Sequence, residues 1–261
     1  MGRVALLVAG LGLLGGVAAC EVLVGIKGKT EAETTDASSA DGDASVEDPS
    51  APCSHQPPYL FCDDFDQDSE LEAGSTWAWD TPGAGSIELD TMQYKTFPKS
   101  VKVSVPNAST QAQLGQPVGA LSTGFRLAFD LYVDLPDLSS IPQVGVAQVY
   151  RNGGTGTLTV NYVLGPGNQC SAQIYDTPSG APAVTIELPP PVLQTWTRIV
   201  LVYDAVQGVT VIEDTKTIGT SSAAAFGAPG DTGIIVGAVF TNPMGSGPFV
   251  INLDDVVMRG Q

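Results

Sequence analysis

Between Phe125 and Leu135 the chain reads FRLAFDLYVDL, with Phe125, Leu127, Phe129, Leu131, Val133 and Leu135 each separated by a single residue. A period of two is the period of a β-strand, so these apolar side chains share one face, and Arg126, Asp130, Tyr132 and Asp134 share the other. A strand with one apolar face requires a second layer to cover it. Comparable short runs fill the rest of the chain: YLFCDDF, STWAWD, SIELDT, KSVKVSVP, VGVAQVYR, TLTVNYVL, SAQIYD, AVTIEL, WTRIVLVYD, GVTVIED, GIIVGAVF and FVINLDDVVM. Gly, Pro, Asn or Asp stands in most of the gaps, as hairpins and meanders require. The 30 Gly and 19 Pro are scattered with no fixed period, which disfavours propellers and solenoids. The pattern predicts an all-β, two-sheet antiparallel sandwich. A chain of 261 residues, 43% hydrophobic, has room for one such main domain, over residues 58–261.

The first sixty residues read differently. MGRVALLVAGLGLLGGVAAC has an early arginine, an apolar run and small residues before Cys20, the form of an export signal over residues 1–19. Its last four residues, VAAC, resemble the lipobox of bacterial lipoproteins. That resemblance implies cleavage before Cys20, a diacylglyceryl thioether on its sulfur and an acylated amino terminus. Membrane lipid would then be a partner, because two or more acyl chains give stable anchoring. The alternative is an uncleaved membrane helix running to Ile26, which would place Glu21 in the apolar span at a cost of about 2–3 kcal/mol. Glu21 stands where an aspartate would suggest inner-membrane retention, so the expected location is the outer membrane or cell surface of a bacterium. GLGLLG in the same stretch matches a dinucleotide-binding pattern, but it follows no strand and lies within the export signal. Residues 20–57 are rich in Ser, Thr, Ala, Asp and Glu and read as a flexible acidic linker.

In the body, FCDDFD, then FPKSVKVSV, FRLAFDLYVD, WTRIVLVYDAVQGVTVIEDTKTI and the closing FVINLDDVVM resemble a concanavalin A-like, laminin G-like jelly roll. The resemblance covers residues 58 to 259. It implies architecture more than activity, since lectins, glucanases and adhesion modules share that superfold.

Charge and composition exclude some chemistry. With 11 Lys and Arg against 28 Asp and Glu, a net −17, the chain lacks the clustered cations that nucleic-acid binding needs. His55 is the only histidine and lies beside the linker, a poor place for the base of a buried nucleophile. Glucanases of the resembled superfold carry three acids as ExDxxE. Here ELDTMQ supplies Glu88 and Asp90 but has Gln93 in place of the proton donor.

Three sets of residues remain. Asp64, Asp66 and Asp68 have the D-x-D-x-D order of an EF-hand, but Ser69 stands at the turn glycine and Ser75 at the bidentate acid. If the first and last strands pair, Asp63 and Asp64 approach Asp254 and Asp255, which are either ligands of a structural Ca²⁺ or solvated strand-end acids. Cys53 and Cys62 flank a short loop and form the favoured disulfide, with Cys62–Cys170 as the other pairing. Tyr150, Tyr162 and Tyr175 fall in consecutive strands near Gln148, Asn161 and Gln173, the mixture of ring faces and amides that sugars require. Trp77 and Trp79 alternate onto one face and are either core or ligand-facing. The sequence reading is a lipid-anchored envelope protein whose jelly roll is a noncatalytic glycan-binding module. Its alternatives are an envelope or adhesion protein that contacts other proteins, and a degenerate glycoside hydrolase.

Overall fold

The computed structural model describes residues 53, 59–67, 71, 77, 79–81, 85–107, 110–121, 123–153, 156–176, 184–222, 230–242 and 247–261. The export signal, Cys20 and the linker up to residue 57, apart from Cys53, lie outside the described residues. So does the side chain of Trp79.

Among the described residues the chain forms strands, turns and loops, with no helix. Strands are numbered along the chain. The first sheet has the order β13 (Lys216–Ser221), β12 (Gly208–Glu213), β11 (Thr197–Asp204), β6 (Gly124–Val133), β15 (Phe249–Gly260), β4 (Ser100–Val105) and β3 (Ser86–Asp90), and β1 (Phe61–Asp63) also pairs with β15. The second sheet runs β10 (Val184–Leu188), β9 (Gln169–Asp176), β8 (Gly156–Gly165), β7 (Gln143–Gly153), β14 (Gly230–Asn242), β5 (Ala112–Leu121) and β2 (Trp79–Thr81). All pairings are antiparallel, and the two sheets form the jelly-roll sandwich expected from the alternation.

The inward face of β6 is the one its sequence announces: Phe125, Leu127, Phe129, Leu131 and Val133 are all buried in the core. Opposite them, Val149, Val160, Tyr162 and Ile174 close the core from the second sheet, and the Phe129 and Tyr162 rings meet edge-on at 6.0 Å. Each such aliphatic side chain contributes about 1.5–3 kcal/mol through burial.

Strand β5 was missing from the sequence pattern. AQLGQPVGAL carries two glycines and a proline, which weaken any local strand signal. It forms because β14 and β2 hold it on both sides. The β14–β5 register shifts between Thr232 and Gly233, opposite Gly119 and Pro117, and Gly119 takes a left-handed φ of 90° there. A bulge is where a strand tolerates such residues.

The first and last strands pair as expected, with Phe61 opposite Met258 and Asp63 opposite Val256. Trp77 is core: it meets Phe61 edge-on at 4.7 Å, lies parallel to Phe65, and donates its indole N–H to Asp63 Oδ2 at 2.7 Å.

Candidate functional site

The outer face of the second sheet is built by register. One row aligns Ile235, Gln148, Asn161, Gln173 and Thr185 across β14, β7, β8, β9 and β10. Beside it run Gly233, Tyr150, Thr159 and Tyr175. On its other flank lie Phe240, Gly145, Val163, Ser171 and Glu187. Their neighbours along the strands, such as Val149, Val160, Ala172 and Ile174, belong to the core, so these rows face away from it.

Two aromatic rings lie along this face. A Cβ added to Gly233 would overlap the phenol of Tyr150, and one added to Gly145 would overlap the ring of Phe240. Each glycine leaves open the sheet position opposite an aromatic residue, and the ring folds down into it. An aromatic ring on an outer sheet face offers apolar surface of the kind that stacks on the C–H face of a sugar.

The polar groups are recessed. Asn161 is 3% exposed, and Ser171 and Gln173 are 8% exposed, although all face away from the core. Tyr175 Oη donates to Gln173 Oε1 at 2.8 Å, and Gln173 Nε2 donates to Ser171 Oγ at 3.3 Å. Asn161 Oδ1 is buried and accepts no hydrogen bond from the described residues. A groove of about 200 Å³ opens here, lined by Gln143, Gln169, Ser171, Gln173, Thr185 and Glu187 among others. Burial raises both the Tyr150 and Tyr175 phenols above the usual tyrosine range, so near neutral pH they are protonated donors.

Of the residues expected to meet a ligand, Gln148, Tyr150 and Tyr175 stand on this face. Tyr162 does not, and its assignment is corrected: it is fully buried between the sheets. It lies three positions from Thr159, which pairs with both Tyr150 and Tyr175, and an odd offset along a strand reverses the face. Phe240, Ser171, Thr185 and Glu187 were not singled out from sequence. The readable signal for Phe240 was the strand-interior glycine Gly145, but which aromatic covers it depends on strand pairing.

The two acids of ELDTMQ lie on β3, in the other sheet. Asp90 accepts the backbone N–H groups of Met92 and Gln93 and the Asn252 amide. It therefore ties a turn to β15.

The acids at the first and last strands are each engaged locally. Asp63 accepts from Phe65 N at 2.8 Å and from Trp77 Nε1. Asp64 Oδ1 accepts from Asp66 N at 3.3 Å. Asp254 Oδ2 accepts from the backbone of Lys95 and Thr96, at 2.9 and 3.0 Å, and Asp254 Oδ1 accepts from Asp255 N. Among the described residues no three His, Cys, Asp or Glu side chains are grouped to hold a metal ion. Asp63, Asp64 and Asp254, of the expected Ca²⁺ set, thus accept from backbone or indole N–H groups, while Asp255 Oδ1 accepts the Thr96 hydroxyl at 3.2 Å.

Asp254 and Asp255 belong to a different cluster. The β15–β6 register shifts after Asp254, and Asp255 takes a left-handed φ of 49°. This turns both acids toward Asp130 beneath the segment 91–99. Arg198 Nη1 lies 2.6 Å from Asp130 Oδ2 and donates to the Asp255 carbonyl at 2.9 Å. Burial, with the neighbouring carboxylates, pushes Asp255 up to about 8. Burial likewise outweighs the N–H donors on Asp254 and brings it to about 7. Burial also raises Asp130 despite Arg198.

Cys53 and Cys62 are bridged, joining β1 to the segment before it. Cys170 is unbridged and buried, and burial pushes its thiol up to about 12, outside the range of a reactive thiolate.

No protein-family model matches the chain, and a search of the curated proteins finds no match. Solved structures do match, and they define the class: a two-sheet jelly-roll sandwich. The cellulose-induced protein Cip1 aligns with a TM-score of 0.52 at 13% identity, covering 77% of this chain and 97% of its own. The alginate lyase vAL-1 from a Chlorella virus aligns with a TM-score of 0.52 at 11% identity, covering 71% of this chain and 93% of its own. At such identities the likeness concerns the fold. It corrects one sequence expectation, that of a module without catalysis. The lyase is an enzyme built on the same sandwich, so neither the missing third acid of ELDTMQ nor the placement of His55 sets this chain apart from enzymes.

Proposed function

We propose that the outer face of the second sheet, from the Tyr150 and Tyr175 row to the adjoining groove, binds a polysaccharide chain. The observation that carries this reading is the Tyr150 ring packed over Gly233 beside the in-register amides of Gln148, Asn161 and Gln173. Rings supply apolar contact to a sugar's C–H face, and amides supply directional hydrogen bonds to its hydroxyls. The fold shared with the cellulose-induced protein and the alginate lyase is consistent with it.

Native affinity electrophoresis through gels containing a panel of polysaccharides tests the reading. Retardation by at least one polymer is expected, with Tyr150→Ala and Tyr175→Ala each weakening it by about 1–2 kcal/mol, or roughly tenfold. Retardation that neither substitution changes would place binding elsewhere. Gly233→Val is expected to weaken retention similarly, because its side chain displaces the Tyr150 ring. A circular dichroism spectrum matching the unsubstituted protein would separate that effect from misfolding.

The proposal includes the amino terminus: Cys20 carries the acyl chains, and the acidic linker holds the sandwich away from an outer membrane or cell surface. Its support is the VAAC sequence at the end of an apolar run. Metabolic labelling with an alkynyl fatty acid should mark the protein and should be lost in Cys20→Ser; labelling that survives the substitution would remove the anchor.

A further inference from the structure

We infer that the groove selects uncharged, hydroxyl-rich glycans and rejects those carrying carboxylate or sulfate groups; this rests on the binding role proposed above. The first observation is the absence of cations. Among the described residues, Arg151 is the only Lys, Arg or His on β5, β7, β8, β9, β10 and β14. It pairs directly with Leu158, a core residue, and so projects toward the inner side of the sheet, where it is 6% exposed. The groove therefore lacks the guanidinium or ammonium that recognition of a carboxylate or sulfate calls for.

The second observation is the charge that is present. Glu187 lines the groove opposite Ser171, on a chain whose net charge is −17. An anionic polymer laid along the row would bring its charges within a Debye length of that carboxylate, where repulsion is not fully screened.

The third is the direction of the hydrogen bonding. Gln173 Oε1 already draws on the Tyr175 hydroxyl. Within the groove, Ser171, Thr185, Gln173 and Glu187 supply hydroxyl, amide and carboxylate oxygens that accept from O–H groups, which a neutral sugar provides. An ionised carboxylate or sulfate offers only acceptors.

The test compares one backbone in two charge states. For each neutral polysaccharide that retards the full-length protein in the gel, such as a β-glucan, a xylan or a galactomannan, its carboxymethylated derivative is run beside it at low and high salt. Alginate and polygalacturonate are run as natural anionic polymers. Carboxymethylation is expected to weaken retention about tenfold at low salt, with the gap narrowing at high salt and in Glu187→Gln. Gln173→Leu, which removes an amide that lines the groove, is expected to weaken retention by the neutral polymer about tenfold. Equal or stronger retention by the anionic polymers, still dependent on Tyr150 and Tyr175, would overturn the charge selectivity and leave the groove as the binding site. No retention by any polymer, neutral or anionic, would overturn the binding role and the selectivity together.

Discussion

Asp255→Asn is expected to stabilise the protein at pH 8 by on the order of a few kcal/mol and to flatten its loss of stability between about pH 4 and pH 8. In the folded protein Asp255 and Asp254 are pushed up to about 8 and 7, against about 3.9 for an aspartate in an unfolded chain. Between those values the unfolded chain has released both protons while the folded one retains them. The folded state then binds more protons, so stability falls as pH rises through this window. The groups facing Asp255 set the direction: Asp254 and Asp130 raise it, while Arg198 and the Thr96 hydroxyl lower it by less than burial and the two acids together raise it. Lys95 acts on Asp130 from the covering segment.

Asparagine in place of Asp255 keeps the shape and an oxygen for the Thr96 hydroxyl, and it accepts a left-handed backbone as readily as aspartate. It removes the proton from the balance. Asp90 works in the opposite sense. Burial alone would raise it, but the N–H groups of Met92 and Gln93 and the Asn252 amide hold it below the usual carboxylate range, so its contribution is lost as pH falls below about 4. Maximum stability is therefore expected in mildly acidic solution. Urea denaturation of both proteins at pH 5 and pH 8 checks this. A parent protein more stable at pH 8 than at pH 5 would refute it, as would a variant that is weaker at pH 8.

The largest expected loss comes from Arg198→Met. Arg198 is the cation paired with Asp130, and its guanidinium also closes the Asp255 carbonyl. Methionine fills much of the same volume without the charge and leaves Asp130, 3% exposed, with its carboxylate unpaired. Breaking a buried pair from one side costs about 3–5 kcal/mol. The loss should be smaller at pH 5 than at pH 8, because the unpaired aspartate can then take up a proton. Pairing the substitution with Asp130→Asn should recover most of the loss, a coupling that a double-mutant cycle in urea measures directly. Additive effects would show that the two side chains do not act as a pair.

The sandwich and its inward faces were legible because they follow from local alternation. Phe125 to Val133 on β6 and Ile199, Leu201 and Tyr203 on β11 enter the core at the positions their spacing assigns. The Cys53–Cys62 bridge was legible for a similar reason: a short loop carries both cysteines. The candidate site was legible in part. Tyr150, Tyr175 and Gln148 were named from residue type and strand order, whereas Tyr162 was misplaced and Phe240 overlooked.

By itself the sequence determined that this chain forms short antiparallel strands with one apolar face each, that those strands must stack as two layers, and that the surface is acidic. Tertiary structure decided which strand lies beside which. It made β5 a strand despite Gly115, Pro117 and Gly119, and it laid the rings of Tyr150 and Phe240 over Gly233 and Gly145. It also buried Asp254 and Asp255 beside Asp130 and Arg198, where they retain protons to higher pH than an exposed aspartate. The physical reason is range. A period of two is written in neighbouring residues, but register belongs to two strands together, and a single-residue bulge anywhere along them reverses which side chains meet.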